Sequence, residues 1–196
     1  MEIEKFIYEK TNSLSAELCD YVIRIYDNKP NIRDNEFGIN LNKDKNEEHN
    51  VLKKALLTNI FENIKSYFLG IECDDIRHNF NNIQNKISIQ YAIVHKYLKD
   101  DKMANYCNSV RTNYKNMKYS IVRFIYYLNN SEIADDDGSG GCSGGCGETI
   151  FANKYKVFPE KGKLVIFPSD WFFSYAETSF KTANKYVITG FIFLDM

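Results

Sequence analysis

Two segments in the first part of the chain carry apolar residues at helical spacing. In the segment 12–27 they recur at i, i+3, i+4 and i+7, which places them on one face of a helix. Ser15 can cap this helix, with Leu14 and Cys19 as a hydrophobic staple. The segment 50–69 predicts a second amphipathic helix, which Gly70 ends. The two apolar faces consist of Leu18, Tyr21, Val22 and Ile25, and of Leu52, Leu56, Ile60, Ile64 and Tyr67.

From about residue 86 the apolar period changes to two, which predicts strands. The strand-like segments are 86–97, 120–129, 149–152, 156–158, 163–167 and 186–194. Helices followed by strands favour an α+β chain with an antiparallel sheet core. The segments 28–50 and 131–147 have no period, so we predict that both are surface loops. The second of them is acidic and then rich in glycine, which predicts a mobile loop.

Composition and charge exclude several classes of function. Hydrophobic residues make up 44% of the 196 residues, which is ordinary for a globular protein, and aromatic residues make up 15%. The net charge is −1, so nothing indicates a nucleic-acid partner. No apolar run is long enough for a membrane helix, and the first residues lack a signal-peptide core. We therefore expect a cytoplasmic protein that does not contact membranes.

The cysteines leave two interpretations open. The chain has five, an odd number, which argues against a disulfide framework and for reduced thiols. Cys142 and Cys146 lie in the glycine-rich segment and are expected to react readily with thiol reagents. The alternative is a zinc site, because their spacing suits zinc and Cys107 and His95 can complete four ligands if the loop folds over the sheet.

Several motifs occur in the order found in a known family. Residues 125–129 (IYYLN) look like a family strand that ends in Tyr-Leu-Asn, and residues 146–151 (CGETIF) look like Gly-Gly-Glu-Thr-x-Phe with Cys146 in place of the first Gly. Residues 157–167 (VFPEKGKLVIF) look like a Val-x-Pro-x-x-Gly hairpin, and residues 185–191 (KYVITGF) look like the last core strand. The chain resembles the prolyl-4-hydroxylase-like 2-oxoglutarate/iron(II)-dependent dioxygenases.

The resemblance implies a fold and a domain organisation. It covers roughly residues 12–194 and implies a double-stranded β-helix, or jelly roll, packed against N-terminal helices. On this interpretation residues 1–196 form a single domain, with a helical part over 1–85 and the jelly-roll core over 86–196.

The resemblance also implies an iron site whose ligands have changed. The family holds iron(II) with a His-x-Asp pair and a distal His, and 2-oxoglutarate binds beside the metal. A family Tyr precedes the first His by nine residues, and a basic residue follows the distal His by ten. Tyr97 and Lys185 satisfy these spacings, which places Tyr106 and Asn108 at the His-x-Asp positions and Tyr175 at the distal His.

The three replacements are poor ligands for iron(II). An amide carries no charge, and a phenol with a pKa near 10 must lose its proton before it binds a metal. None of the histidines, His49, His78 and His95, begins a His-x-Asp or His-x-Glu motif. Three interpretations follow: a dead site filled by phenols and an amide, a ferric site with tyrosinate ligands, or a different register.

The part of the pocket that binds 2-oxoglutarate is better preserved. The resemblance implies that Lys185 faces the far carboxylate of 2-oxoglutarate and that Tyr127 can hydrogen-bond it. The resemblance assigns Tyr97 to the same anion-binding pocket. Arg123 lies four residues before Tyr127 and shares its face of the strand, where a buried cation requires an anion or an internal carboxylate. The alternative for Lys185 and Arg123 is an ordinary structural ion pair.

The expected function is therefore that of a dioxygenase-fold protein, a pseudoenzyme that binds a small carboxylate or a protein partner. No cofactor follows from the residues themselves, since iron(II) and 2-oxoglutarate are implied by the resemblance alone. The alternative is an active oxygenase (a hydroxylase) that uses a rebuilt metal site.

Overall fold

Two helices lie in the first part of the chain. The computed structural model describes residues 3–27, 47–71, 80, 82–99, 104–106, 112–113, 118–130, 146–152, 154–178, 180–181 and 183–195. Helix α1 spans Ala16–Asp27 and helix α2 spans Glu47–Gly70. The Leu18 amide donates to Ser15 Oγ at 3.2 Å, so the predicted N-cap is confirmed. Helix α1 begins at Ala16 rather than at residue 12, because Asn12 has a φ of 51° and belongs to a turn.

The strands form two antiparallel sheets. In chain order they are β1 (Tyr8–Lys10), β2 (Ile87–Tyr97), β3 (Ala104–Tyr106), β4 (Thr112–Asn113), β5 (Lys118–Tyr127), β6 (Thr149–Phe151), β7 (Tyr155–Val157), β8 (Leu164–Pro168), β9 (Tyr175–Glu177) and β10 (Lys185–Asp195). The large sheet has the order β1-β8-β5-β10-β2, with β4 paired to β5, and the small sheet has the order β3-β9-β6-β7. The predicted mixture of helices and antiparallel sheet is confirmed.

Most predicted strands are confirmed with small shifts at their ends. The six strand-like segments correspond to β2, β5, β6, β7, β8 and β10. The sequence pattern missed β1, β3, β4 and β9, which have two or three residues each and are too short to show a period. Of the predicted loop 28–50, residues 47–50 belong to α2 and the rest lies outside the described residues. Of the predicted loop 131–147, only residues 146–147 are described.

One face of the large sheet packs against the helices. The buried face of α2 and its neighbours on α1 contact alternate residues of β5, β8 and β10 in one apolar cluster. Within this layer Asn59 of α2 accepts a hydrogen bond from Tyr126 Oη of β5 at 2.6 Å and donates to the Ser13 carbonyl at 2.7 Å. These bonds fix the helix on the sheet, because buried polar groups must find partners. No helix in the described part of the chain is long and apolar enough to cross a membrane.

The other face of the large sheet packs against the small sheet. This second cluster combines large-sheet residues such as Tyr127, Phe167 and Val187 with Phe151 and Tyr175 of the small sheet. Side chains alternate between the two faces of a strand. The alternate residues Arg123, Ile125 and Tyr127 of β5 therefore share the face toward the small sheet. The candidate site lies in this inner layer.

Candidate functional site

The strand register places the predicted site positions opposite one another. Tyr106 of β3 pairs with Tyr175 of β9, and Tyr97 of β2 pairs with Lys185 of β10. The four residues related by the two sequence spacings therefore lie opposite one another in two strand pairs. Tyr106 is described in its backbone alone, and Asn108 lies outside the described residues.

Tyr175, which the resemblance places at the distal iron ligand, belongs to the apolar core. Its side chain is buried, with ring centroids at 5.7 Å from Phe151 and 5.5 Å from Phe167. The guanidinium carbon of Arg123 lies 4.8 Å from the centre of its ring. A permanent cation thus lies beside the residue predicted to replace the distal ligand.

Arg123 is held by aromatic rings. Its guanidinium carbon also lies 4.8 Å from the centre of the Phe191 ring, and the residue is 9% exposed. In the large sheet Arg123 pairs with Phe167 on β8 and Phe191 on β10. Cation–π contacts of this kind stabilise a desolvated guanidinium by about 2 kcal/mol.

Lys185 is completely buried, and its ammonium has protein acceptors for its three N–H groups. It forms an ion pair with Glu177, donates to the Gly147 carbonyl at 2.6 Å, and has the Thr178 carbonyl at 3.4 Å. An ammonium has three donors and no acceptor. The residue expected to bind the 2-oxoglutarate carboxylate is therefore paired with a carboxylate of the chain itself.

Glu177 completes a buried network that the sequence did not predict. Thr149 Oγ1 donates to Glu177 Oε1 at 3.0 Å. Tyr127 Oη lies 2.5 Å from Thr149 Oγ1, and because that hydroxyl hydrogen is already used, Tyr127 is the donor of this bond. Each carboxylate oxygen thus has its own donor. Glu177 and Thr149 are direct partners in the β6–β9 register.

One signal in the sequence pointed to Glu177. It follows Tyr175 by two residues, so the two side chains lie on the same face of a strand. This relation could be used only if residues 175–177 were known to form a strand, and β9 spans only Tyr175–Glu177. Thr149 lies in the motif at 146–151 that carried the resemblance, but no separate role was predicted for it.

Burial governs the protonation of this network. It raises the pKa of Tyr127 well above the ordinary value, and the nearby Glu177 charge adds to the effect, so the phenol stays protonated and donates. Burial lowers the pKa of Lys185, whereas the carboxylate of Glu177 acts in the opposite direction. The ion pair keeps the ammonium charged in a place where a lone lysine is costly.

Gly147 fits the network closely. Its φ is +78°, in the left-handed region that favours glycine. A Cβ built at this position would lie 1.9 Å from a ring carbon of Phe180. The backbone can therefore approach Lys185 and Phe180 at this point because residue 147 has no side chain.

His95 and Tyr97 line one face of β2 beside this site. The His95 ring stacks on Tyr97 with centroids 6.1 Å apart, and its Nε2 lies 2.9 Å from Thr189 Oγ1. Burial, together with the positive charge of Arg123, lowers the pKa of His95 to about 4. Tyr97 lies beside the lysine, with its ring centre 5.7 Å from Lys185 Nζ.

The cysteine predictions need a correction. Cys146 forms a disulfide bond, so the expectation of a reduced, reactive thiol at this position is wrong, and the residue is not a zinc ligand in this state. An odd number of cysteines excludes complete pairing but not a single disulfide. Cys107 and Cys142 lie outside the described residues, and Cys19 is a buried free thiol.

The described residues do not fit an iron(II) centre. They contain no group of three or more His, Cys, Asp or Glu side chains able to hold a metal ion. Tyr175, the residue predicted to replace the distal ligand, is a buried phenol, and the neighbouring Arg123 is a guanidinium that repels a dication. Deprotonation of a phenol at such a place would have to occur before the metal could bind.

Comparisons with known proteins identify the fold. No protein-family model and no curated protein matches the sequence. Among solved structures, the chain is similar to the viral collagen prolyl hydroxylase of Paramecium bursaria Chlorella virus-1 in its 2OG complex, with a TM-score of 0.60 and 16% identity over 99% of both chains. The chain has the fold of the prolyl hydroxylases.

Two further structures support the same conclusion. A Trichoplax adhaerens prolyl hydroxylase, in complex with a peptide of hypoxia inducible factor, has a TM-score of 0.55 and 18% identity over 97% of this chain and 84% of that one. A Pseudomonas putida prolyl-4-hydroxylase has a TM-score of 0.53 and 16% identity over 97% of this chain and 93% of that one. The resemblance to the prolyl-4-hydroxylase-like 2-oxoglutarate/iron oxygenases is confirmed. At such identities the likeness concerns the fold alone, and function must be argued from the site.

Proposed function

We propose that this chain is a non-catalytic protein built on the jelly roll of the 2-oxoglutarate oxygenases, and that its pocket binds neither iron(II) nor 2-oxoglutarate. The two sheets correspond, on this proposal, to the two halves of a double-stranded β-helix. The observation that carries the proposal is the ion pair between Lys185 and Glu177, which are 0% and 1% exposed.

This ion pair opposes the binding of 2-oxoglutarate. Lys185 Nζ already has Glu177, Gly147 and Thr178 as acceptors. A dicarboxylate that approached Lys185 would place a second negative charge beside Glu177, and like charges that share a site disfavour ionisation. Of the two binding hypotheses, a small carboxylate and a protein partner, the contacts around Lys185 therefore oppose the first.

The surroundings of Tyr175 oppose iron(II). The Arg123 guanidinium lies over the Tyr175 ring, and Tyr175 packs among Phe151 and Phe167. A metal ion at this position would have to displace the guanidinium and acquire ligands from phenols. Iron chemistry of the usual kind is therefore absent from the proposed function.

The test is the conversion of 2-oxoglutarate to succinate. Protein supplied with iron(II), 2-oxoglutarate and oxygen is expected to form succinate no faster than the Lys185→Met variant, which serves as the background control. Succinate that depends on iron(II), disappears with a chelator and falls in Lys185→Met would contradict the proposal. That outcome would support the alternative, an active hydroxylase with a rebuilt metal site.

A further inference from the structure

We propose that Glu177 is a tethered ligand: its carboxylate occupies a carboxylate-binding subsite formed by Lys185, Thr149 and Tyr127. The subsite is a binding site for small carboxylate anions that the chain fills with its own side chain. This inference rests on the proposed function, in which the pocket holds no co-substrate.

The contacts of Glu177 are those of a bound carboxylate. Oxygen Oε2 pairs with the Lys185 ammonium, and oxygen Oε1 accepts the Thr149 hydroxyl at 3.0 Å. Tyr127 donates to Thr149 at 2.5 Å, which orients the Thr149 hydroxyl toward the carboxylate. Charged and polar donors on both oxygens are the usual means by which proteins recognise a carboxylate.

The donors come from strands other than the one that carries Glu177. Lys185 lies on β10, Thr149 on β6 and Tyr127 on β5, whereas Glu177 lies on β9. All four residues are at most 2% exposed. Removal of the Glu177 side chain beyond Cβ would therefore leave Lys185 and Thr149 as donors, with Tyr127 bonded to Thr149, beside a space the size of the CH₂–COO⁻ group that was removed.

Acetate has the same heavy atoms as the missing group, so it is the ligand used in the test. The Glu177→Ala variant is titrated with sodium acetate, and its Tm is compared with that in sodium chloride at equal ionic strength. We expect a saturable rise of roughly 3–6 °C at an acetate concentration about ten times the dissociation constant. The parent protein, whose subsite is filled, is expected to show no such rise.

Two variants separate a subsite from a general salt effect. In Glu177→Ala/Lys185→Met the cation is removed together with the anion, and acetate is expected to have no effect beyond that of chloride. In Glu177→Gln an amide fills the space, so acetate is again expected to have no specific effect. An equal response to acetate in Glu177→Ala and in either control overturns the proposal.

The same experiment covers a variant that does not fold in chloride. If Glu177→Ala is unfolded without acetate, refolding from urea is followed as acetate is added, and acetate-dependent recovery supports the subsite. A chain that stays unfolded at every acetate concentration overturns it. Failure here leaves the proposed function standing, because that proposal is tested by succinate formation in the parent protein without any change at Glu177.

Discussion

Substitution of Lys185 by methionine measures how strongly the buried ion pair stabilises the fold. Methionine has a similar length and no charge, so the variant leaves Glu177 and the Gly147 carbonyl without their shared donor. Breaking a buried ion pair from one side costs about 3–5 kcal/mol. The side chains of Lys185 and Glu177 are 0% and 1% exposed, so water cannot replace the lost partner.

We expect Lys185→Met to lower the free energy of unfolding by about 3–5 kcal/mol at pH 7, because the Glu177 carboxylate stays buried after it has lost the ammonium.

The assay is urea unfolding at pH 7 followed by circular dichroism, with the parent protein measured beside the variants. Lys163→Met is the matched control, since Lys163 is also buried but pairs with Glu160 and Glu9, which are 53% and 28% exposed and remain hydrated when their partner is lost. The double variant Lys185→Met/Glu177→Met is expected to be more stable at pH 7 than Lys185→Met. A cost for Lys185→Met within about 1 kcal/mol of that for Lys163→Met would contradict this prediction.

Three further outcomes follow from the described residues. Folding lowers the pKa of His95 to about 4, so the unfolded chain binds more protons than the folded chain below about pH 6.5. The free energy of unfolding is therefore expected to fall by up to about 3 kcal/mol as pH falls from about 6.5 to 4. In urea unfolding, His95→Gln should remove this part of the pH dependence. Gly147→Ala should lower Tm and cost at least about 2 kcal/mol in urea unfolding, because φ is +78° and the new Cβ meets Phe180; an unchanged Tm would contradict this. Alkylation of the native, unreduced protein, followed by mass spectrometry, should label neither Cys19 nor Cys146. Burial raises the pKa of the Cys19 thiol to about 11, and Cys146 is in a disulfide bond. Labelling of either residue would contradict the structure.

The spacing of residues along the chain could be compared with the family before any contact was known. The spacings from Tyr97 to Tyr106 and from Tyr175 to Lys185 predicted ligand positions at Tyr106 and Tyr175, and the strand register pairs Tyr106 with Tyr175 and Tyr97 with Lys185. Spacing along strands is set by the fold, so it persists when the side chains that do the chemistry have changed.

The partner of Lys185 could not be predicted in the same way. Glu177 lies on β9, which has three residues and therefore no measurable period. The ion pair forms because β9 and β10 belong to different sheets whose inner faces meet, and nothing local in the sequence specifies that contact. The disulfide at Cys146 was missed for a similar reason, since a count of cysteines does not say which of them are close in space.

The most direct test of the central claim is a crystal structure of the parent protein grown with manganese(II), as a stand-in for iron(II), and 2-oxoglutarate. We expect that Lys185 Nζ still bonds the Glu177 carboxylate and that neither metal nor 2-oxoglutarate lies beside Tyr175. A metal ion beside Tyr175, with Lys185 turned from Glu177 to a carboxylate of 2-oxoglutarate, would contradict it.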